Sequence, residues 1–559
     1  MNAREVIPLK QRPDFSLTLP GSKSITNRAF LCAVLAKGKS RIYGALESED
    51  TTAMLNALRK FEVRISKSEN YIEIEGNGGK FKPGNVTVNA GASGTTTRFL
   101  TALSVLREGK TAIKGTKRMK ERPIKDLEDA LGQLNRGERL IRIKGDKSSQ
   151  FLSALLMISP LFSPLKIEVT GKLVSKPYID ITIAVMKAFG VSVQNKAYKT
   201  FIVKPQQYKA ADYWTEGDAS AASYWTAMAY LHKGKVKFEN LKIKNSIQGD
   251  AHFEENLKKL GKISVIDMNA MPDAAMTAAV MAPFARRRTK ITGLSTLRIK
   301  ETDRLAALEK ELKKIGVNVS TTKDSITIRP AIHPTIRPTI RTYNDHRMAM
   351  CFAVLGTKTP GIVIEDPTCV DKTYPEFWED LERAYLTPVK LGGKNLVLTG
   401  MRCSGKTRHG RKIATLLGRP FVDLDMEIER LEGKTIPEIV KKYGWDTFRK
   451  MESLVCRAIT KYVKEPLVIA TGGGVVLDEK NIKNLKKNGI NVFIFADPYV
   501  IAERVKKKAG TRPSLTGKKP DKEVYEVWKA RRDLYLKYAD IVWDNTGGKI
   551  LGENLKNIF

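Results

Sequence analysis

One pattern recurs six times along this chain, and a single small module cannot account for it. Each copy is a small or charged residue followed by about ten apolar and small residues. The copies are SITNRAFLCA from Ser24, GTTTRFLTAL from Gly94, SQFLSALLMI from Ser149, SAASYWTAMA from Ser220, DAAMTAAVMA from Asp273 and DHRMAMCFAV from Asp345. Their starts lie 70, 55, 71, 53 and 72 residues apart, a spacing that marks a repeat architecture. Apolar on nearly all sides, each copy predicts a helix buried within a lobe. Each also opens on glycine or a capping-type residue after polar sequence, so its N-terminus is expected to be accessible although its body is not.

The long intervals hold a strand, an amphipathic helix and a hairpin, as in SRIYGAL, DTTAMLNALRKF and the alternating EVRISKSENYIEIEG. Two short intervals, DLEDALGQLNRGERLIRIKG and GDAHFEENLKKLGKISVIDM, have room for one helix and one strand. The expected fold is α/β, with six βαβαββ-type repeats, the second and fifth shortened, in two lobes of three. Lobe one is expected over about 14–214, and lobe two over about 215–386 together with the N-terminal segment, the chain crossing near residues 215–218. LTPVKLGGK then marks a linker over 387–392. Over 393–559, NLVLTG, KTRHGRKIATLLG, FVDLD, PLVIATGGG, NVFIFAD and DIVWD alternate strands with helical patterns, the signature of a parallel-sheet P-loop domain. Each side of the linker has its own core pattern, so the two parts are expected to be separable.

Composition narrows the classes. With 559 residues, 42% hydrophobic and 28% charged, the chain is globular rather than disordered. Its most apolar stretch, 151–165, is interrupted by Ser153, Ser159, Pro160, Ser163 and Pro164, short of the roughly 20 residues of a membrane span. MNAREVIPLKQRPDF carries no secretory or import pattern, so a cytoplasmic location and no membrane partner are expected. Cys32, Cys351, Cys369, Cys403 and Cys456 are odd in number and scattered, against a disulfide framework or zinc site. The net charge of +37 is spread, with 34 basic and 20 acidic residues from Gly393 onward and 63 against 40 before it. That spread points to small anionic substrates and to no specific nucleic acid, which favours a concentrated basic face.

Residues 400–407, GMRCSGKT, follow an apolar strand and open a helix, as a phosphate-binding P-loop must. Its amides and helix N-terminus suit phosphates, Lys406 suits the γ-phosphate, and the Thr407 hydroxyl suits Mg²⁺. Asp423 and Asp425 are two apart, so on an extended segment they are expected to point the same way. Arg449, Arg512 and Arg531 are candidates for a bidentate anion clamp. With FRKMES, ATGGG, RPSL and RRDLY beside the P-loop, this part resembles shikimate kinase. The resemblance implies that Cys403, Ser404, Gly405, Lys406, Thr407 and Arg408 hold ATP, with Arg512 reaching it from a lid. It implies shikimate on Asp425, Arg449, Gly473 and Arg531, and Mg²⁺ at Thr407 and Asp423. Cys403 and Ser514 stand where that family usually has glycine and leucine.

Before the linker, basic groups collect at the helix openings and nearby loops: Lys23 and Arg28, Arg98, His346 and Arg347, RMKERP and RIKETDR. Helix N-termini with Arg and Lys make a site for a highly anionic ligand. In such a site Asp273 and Glu301 oppose binding and read better as proton carriers. The motifs LPGSKSITNRA, SGTTTRF, RMKERPI, SSQFLSALLM, SKPYIDIT, EGDASAASY, MPDAAMT, KETDR, YNDHRMAM and DKTYPEF make residues 1–386 resemble 5-enolpyruvylshikimate-3-phosphate (EPSP) synthase. The loop KGTKRMKERP lacks the Cys usual in the related UDP-N-acetylglucosamine enolpyruvyltransferase.

That resemblance implies the two-lobed enolpyruvyl transferase fold. It implies shikimate 3-phosphate on Lys23, Ser24, Arg28, Ser148, Ser149, Gln150, Ser175, Tyr178, Asp273 and Lys300, and phosphoenolpyruvate on Lys23, Gly94, Arg122, Gln150, Arg304, Arg347 and Lys372. Asp273, Glu301 and Lys23 would be catalytic, with no metal or cofactor in this part. Thr296 stands where the family usually has Asn. Together the two parts imply consecutive steps toward chorismate and the aromatic amino acids.

Overall fold

The computed structural model describes residues 3–330, 338–507, 514–548 and 558. The six apolar copies form the helices Lys23–Leu35, Gly94–Leu103, Ser149–Ile158, Ala219–His232, Ala275–Met281 and His346–Gly356. Nearly every residue of these helices is buried, so they form the spine of the lobes. Side-chain caps start four of them: Ser93, Ser148, Asp218 and Asp345 each accept a first-turn backbone N–H, satisfying donors a helix leaves open.

Lobe one carries two four-stranded sheets. One has the order Asp212–Trp214, Lys37–Tyr43, Tyr71–Asn77, Arg64–Lys67; the other Gln194–Lys196, Thr200–Val203, Leu165–Thr170, Leu140–Lys144. A parallel pair, Val86–Asn89 with Thr111–Lys114, completes it. Lobe two has a four-stranded sheet in the order Val265–Asp267, Thr289–Thr292, Ser325–Ile328, Val319–Thr321. Beside it are a three-stranded sheet of Ala3–Glu5, Val363–Glu365 and Thr339–Ile340 and a parallel pair, Asp14–Leu17 with Lys235–Phe238.

Three expectations change. The repeats without hairpins are the second and fourth, not the second and fifth: the fifth helix is followed by the hairpin Val319–Thr321 and Ser325–Ile328, whereas Lys235–Phe238 after the fourth has none. Asp14–Leu17 pairs with Lys235–Phe238, so lobe one begins at the crossing near Gly21, which bridges Gly217, rather than at residue 14. The linker is no exposed tether. Val389 and Leu391 are buried in a core with Leu396, Ile413 and Trp543, because these two apolar residues find the first sheet strand of the C-terminal domain beside them.

That domain is a five-stranded parallel sheet in the order Phe421–Asp423, Val468–Ala470, Asn395–Thr399, Gly489–Phe495, Ile541–Asp544. It docks on lobe two through buried polar groups. Arg4 Nη2 donates to Glu382 Oε1 at 2.8 Å and to Asp544 Oδ2 at 3.1 Å. Glu5 accepts from Arg532 at 2.7 Å and from the Trp528 indole at 2.8 Å. Gln11 bridges the carbonyls of Tyr385 and Val542. Lobe one keeps its own core around Phe30, Phe99 and Phe151, whereas the buried apolar side chains of lobe two run on into one face of the C-terminal sheet, with Val397, Ile469 and Phe493; the opposite face keeps the separate core around Leu396, Ile413 and Trp543. Among the described residues no helix is long and apolar enough to cross a membrane, and all five cysteines are free.

Candidate active sites

The openings of the buried helices converge between the lobes on a small cavity of about 60 Å³. Lys23, Ser24, Gly94, Arg122, Ser148, Ser149 and Gln150 reach it from lobe one with Ser175 and Tyr178, and Asp273, Lys300, Glu301, Arg304 and Arg347 from lobe two. Two residues expected there stand apart. Arg28 is 1% exposed and spends its guanidinium on the Ser24 and Tyr178 carbonyls and the hydroxyls of Thr182 and Ser153, so it braces the wall instead of lining it. Lys372 lies behind Glu301, its Nζ 3.8 Å from that carboxylate.

The lobes meet across this cavity. Tyr178 Oη donates to Asp273 Oδ2 at 2.9 Å, Ser175 N to Asn269 Oδ1 at 3.0 Å, and Arg118 to the carbonyls of Arg298 and Lys300. Arg304 engages three carboxylates, with Asp273 at 3.0 Å, Glu301 at 2.8 Å and Asp345 at 2.7 Å. Lys300 at 3.4 Å and Arg347 at 3.2 Å also face Asp273. Burial opposes ionisation of both acids. Arg347, Lys300 and Arg304 around Asp273, and Arg304, Lys372 and Arg122 around Glu301, outweigh it and hold both carboxyls well below their usual range. Burial, with Lys23 and Arg347 nearby, keeps the His346 ring neutral.

A Cβ at position 94 would stand 2.6 Å from the Arg122 guanidinium and 2.5 Å from that of Arg98, so a larger residue there displaces both cations from the cavity wall. Sequence reasoning missed Asp50, which lines the cavity and pairs with Lys23 Nζ at 3.0 Å. Only its place in the first turn of the helix Glu49–Lys60 hinted at it. Thr296 lines the cavity with a buried Oγ1 that has no hydrogen-bond partner.

A second cavity, of about 520 Å³, opens at the strand ends of the C-terminal sheet, where such sheets bind ligands. Thr407, Asp423, Asp425, Arg449, Gly473 and Arg531 all line it. Asp423 ends its strand and caps the helix Leu424–Glu432, so Asp425 lies in the first helical turn and not on the extended segment expected. Asp423 Oδ2 accepts from the Thr407 hydroxyl at 2.7 Å. Arg449 pairs with Glu452 at 2.6 Å and stacks over Trp445 and Phe448. A Cβ on Gly474 would overlap its guanidinium, at 2.2 Å. Arg531 donates to the Gly473 carbonyl at 3.0 Å.

Beside this cavity runs the P-loop, with Ser404 buried, Arg408 exposed and Gly405 at φ 109° capping the helix Lys406–Leu417. Lys406 Nζ donates to the carbonyls of Gly400 and Met401. Cys403 takes a left-handed φ of 60°, conformation that favours glycine. Arg512 lies outside the described residues. Arg402, paired with buried Glu523, lines the cavity and was missed, because no P-loop spacing rule marks it.

The EPSP synthase (3-phosphoshikimate 1-carboxyvinyltransferase) family model matches residues 11–265 and 259–381, and the shikimate kinase model residues 402–556. A 3-phosphoshikimate 1-carboxyvinyltransferase of Mannheimia haemolytica is 42% identical over 420 residues, covering 66% of this chain and 97% of that protein. One from Haemophilus influenzae (strain PittGG) is 43% identical over 418, covering 66% and 96%. The solved EPSP synthase of Acinetobacter baumannii shares the fold, with TM-score 0.56 at 22% identity over 68% of this chain and 97% of that one. Both matched families are shikimate-pathway enzymes, one a transferase and the other an ATP-using kinase. The chain belongs to the EPSP synthase family, and a shikimate kinase domain follows its synthase domain.

Proposed function

We propose that this one chain carries out two consecutive reactions. In the C-terminal domain (393–559) the 3-hydroxyl oxygen of shikimate attacks the γ-phosphorus of ATP, giving ADP and shikimate 3-phosphate. In the two-lobed domain (1–386) the 5-hydroxyl of that product adds to C2 of phosphoenolpyruvate while C3 gains a proton. Loss of the C3 proton with departure of phosphate then leaves EPSP. The observation that carries this reading is Asp273 and Glu301, two carboxylates set among Lys300, Arg304, Arg347 and Lys372 in a cleft between lobes.

Phosphate and carboxylate groups of the substrates compete with Asp273 and Glu301 for these cations. As the cations turn to the substrates, both carboxyls lose the partners that depress them and their proton affinity rises. Asp273 then takes the 5-hydroxyl proton, Glu301 delivers one to C3, and Lys23, held by Asp50, offsets charge. Shikimate 3-phosphate rests on Lys23, Ser24, Ser148, Ser149, Gln150, Ser175, Tyr178 and Lys300; phosphoenolpyruvate rests on Gly94, Arg122, Arg304 and Arg347, and Lys372 joins them as it turns away from Glu301. A cavity of about 60 Å³ has room for roughly a few waters and not for both substrates, so the lobes part to admit them.

In the kinase domain Asp425, Arg449, Gly473 and Arg531 hold shikimate, while the P-loop amides and Lys406 hold the phosphates. The Thr407 hydroxyl and Asp423 carboxylate, 2.7 Å apart, are two hard oxygen donors beside the phosphate site and fit Mg²⁺, which takes few protein ligands and keeps several waters. When bound it neutralises phosphate charge. Five free cysteines fit a cytoplasmic location. Incubation with shikimate, ATP, Mg²⁺ and phosphoenolpyruvate, with products identified by mass, should give EPSP, ADP and phosphate. Accumulation of shikimate 3-phosphate alone would refute the second step.

A further inference from the structure

The strand that follows each buried helix pairs on one edge with a parallel neighbour. On its other edge it pairs with an antiparallel strand in four repeats. In the first, third and fifth repeats that strand comes from the hairpin: Tyr71–Asn77 on Lys37–Tyr43, Thr200–Val203 on Leu165–Thr170, and Ser325–Ile328 on Thr289–Thr292. In the sixth a strand from far away in sequence does the same work, Ala3–Glu5 lying antiparallel on Val363–Glu365. The fourth repeat has no such strand. Lys235–Phe238 pairs with Asp14–Leu17, and among the described residues nothing pairs with its other edge. Lys235 N and Glu239 N turn inward to the carbonyls of Pro13 and Leu17, so the amides of Val236 and Phe238 face outward.

A groove of about 1530 Å³ lies at this strand. Its apolar lining includes Phe15, Val236, Phe238, Leu260, Met281 and Phe284, and its rim carries Lys235, Lys237, Lys262, Arg286, Arg287 and Lys358 against Asp14 and Glu254. Among the described residues no ion pair engages Lys235, Lys262, Arg286, Arg287 or Lys358, and Glu254 is already paired with Lys258. The second repeat also lacks a hairpin, but its groove, at about 410 Å³, is much smaller.

We propose that the edge of Lys235–Phe238 receives an extended acidic segment of a partner protein as an antiparallel strand. A bare edge is a template for pairing, and backbone hydrogen bonds with alternating side-chain pockets are how added strands bind. Along a strand alternate residues face opposite sides. One set of the partner's side chains would lie over Met281 and Phe284, and the other, acidic, beside Lys235 and Lys237. A second copy of this chain, at net charge +37, is repelled by the same rim. A nucleic acid would satisfy the cations but leave the outward amides and the apolar lining unmatched.

The test uses the full chain and a fluorescein-labelled eight-residue peptide of alternating Glu and Val, followed by anisotropy. Its controls are a Lys–Val peptide and the Glu–Val peptide N-methylated at alternate residues. The Glu–Val peptide should bind at least tenfold tighter than either control. Lys235→Glu with Lys237→Glu should weaken it at least tenfold with transferase and kinase rates unchanged, and hydrogen exchange at Val236 and Phe238 should slow at least tenfold. Equal binding of the N-methylated peptide, indifference to the two substitutions, protection elsewhere in the chain, no saturation by 1 mM, or displacement by poly(U) at lower concentration would each overturn the proposal.

Discussion

Arg4 and Asp544, 540 residues apart in sequence, form a buried ion pair at 3.1 Å, and the same guanidinium nitrogen holds Glu382 at 2.8 Å. Glu5, the next residue along the same strand, repeats the device with Arg532 at 2.7 Å. Breaking a buried pair by removing one partner strands the other charge and costs about 3–5 kcal/mol. Arg4→Ala should therefore split the thermal unfolding of the chain into separate transitions for the two domains. An unchanged single transition would show that the docking does not depend on this pair.

The same interface bears on separability. Cutting between 386 and 393 exposes Trp528 and Arg532 on one piece and Glu5 and Glu382 on the other, and removes Val389 and Leu391 from the core they share with Trp543. The 393–559 piece made alone should melt well below the intact chain and tend to associate. Two monodisperse pieces melting with the full chain would contradict this.

How much of this was legible in the sequence depends on range. The six helices announce themselves through a local pattern, an apolar run behind Ser, Gly or Asp, and the P-loop through contiguous residues. Ion pairs such as Arg4 with Asp544, Lys23 with Asp50 or Arg402 with Glu523 have no sequence period, because they are set by how separate elements pack. The linker misled for a related reason: Val389 and Leu391 look isolated among Pro388, Gly392 and Gly393, and only the neighbouring sheet makes them core. Arg28 shows the converse. Its motif marks a cleft residue, while its depth below Ser24 makes it a brace.

Burial first, and Asp544 second, push the Glu382 carboxyl up to about 7 from 4.5, although Arg4 pulls the other way. A carboxyl raised on folding holds its proton in the folded state, so its contribution is complete below about pH 4.5 and is lost as pH rises through 7. Asp497, raised to about 6 by burial at the same interface, acts in the same sense. The melting temperature should fall between pH 5 and 8, and Glu382→Gln should make that slope shallower. An unaltered slope would place the titrating group elsewhere.

Cys403 sits at φ 60°, which costs an L-residue about 1–2 kcal/mol. Glycine removes that strain but gives back part of it through the freer unfolded chain, about 0.4–1 kcal/mol. Cys403→Gly should stabilise the kinase domain by about 0.5–1 kcal/mol in urea unfolding. Destabilisation by that amount would mean the thiol makes contacts worth more than the strain.

Asp273→Ala and Glu301→Ala should lower the transferase kcat by roughly 10² to 10⁴-fold, the usual worth of a positioned proton carrier. Because each substitution frees Arg304 for an anion, KM should stay level or fall. A raised KM with kcat intact would make Asp273 a binding group instead.

The central claim is that two distinct sites on one chain act in sequence, and Lys406→Ala tests it most directly. The account predicts that this variant loses ATP-dependent phosphorylation of shikimate by roughly 10³-fold or more, since the P-loop lysine stabilises transition-state charge. It should still convert supplied shikimate 3-phosphate and phosphoenolpyruvate to EPSP at the parent rate. EPSP formed from shikimate at the parent rate by this variant, or loss of both conversions together, would contradict the account.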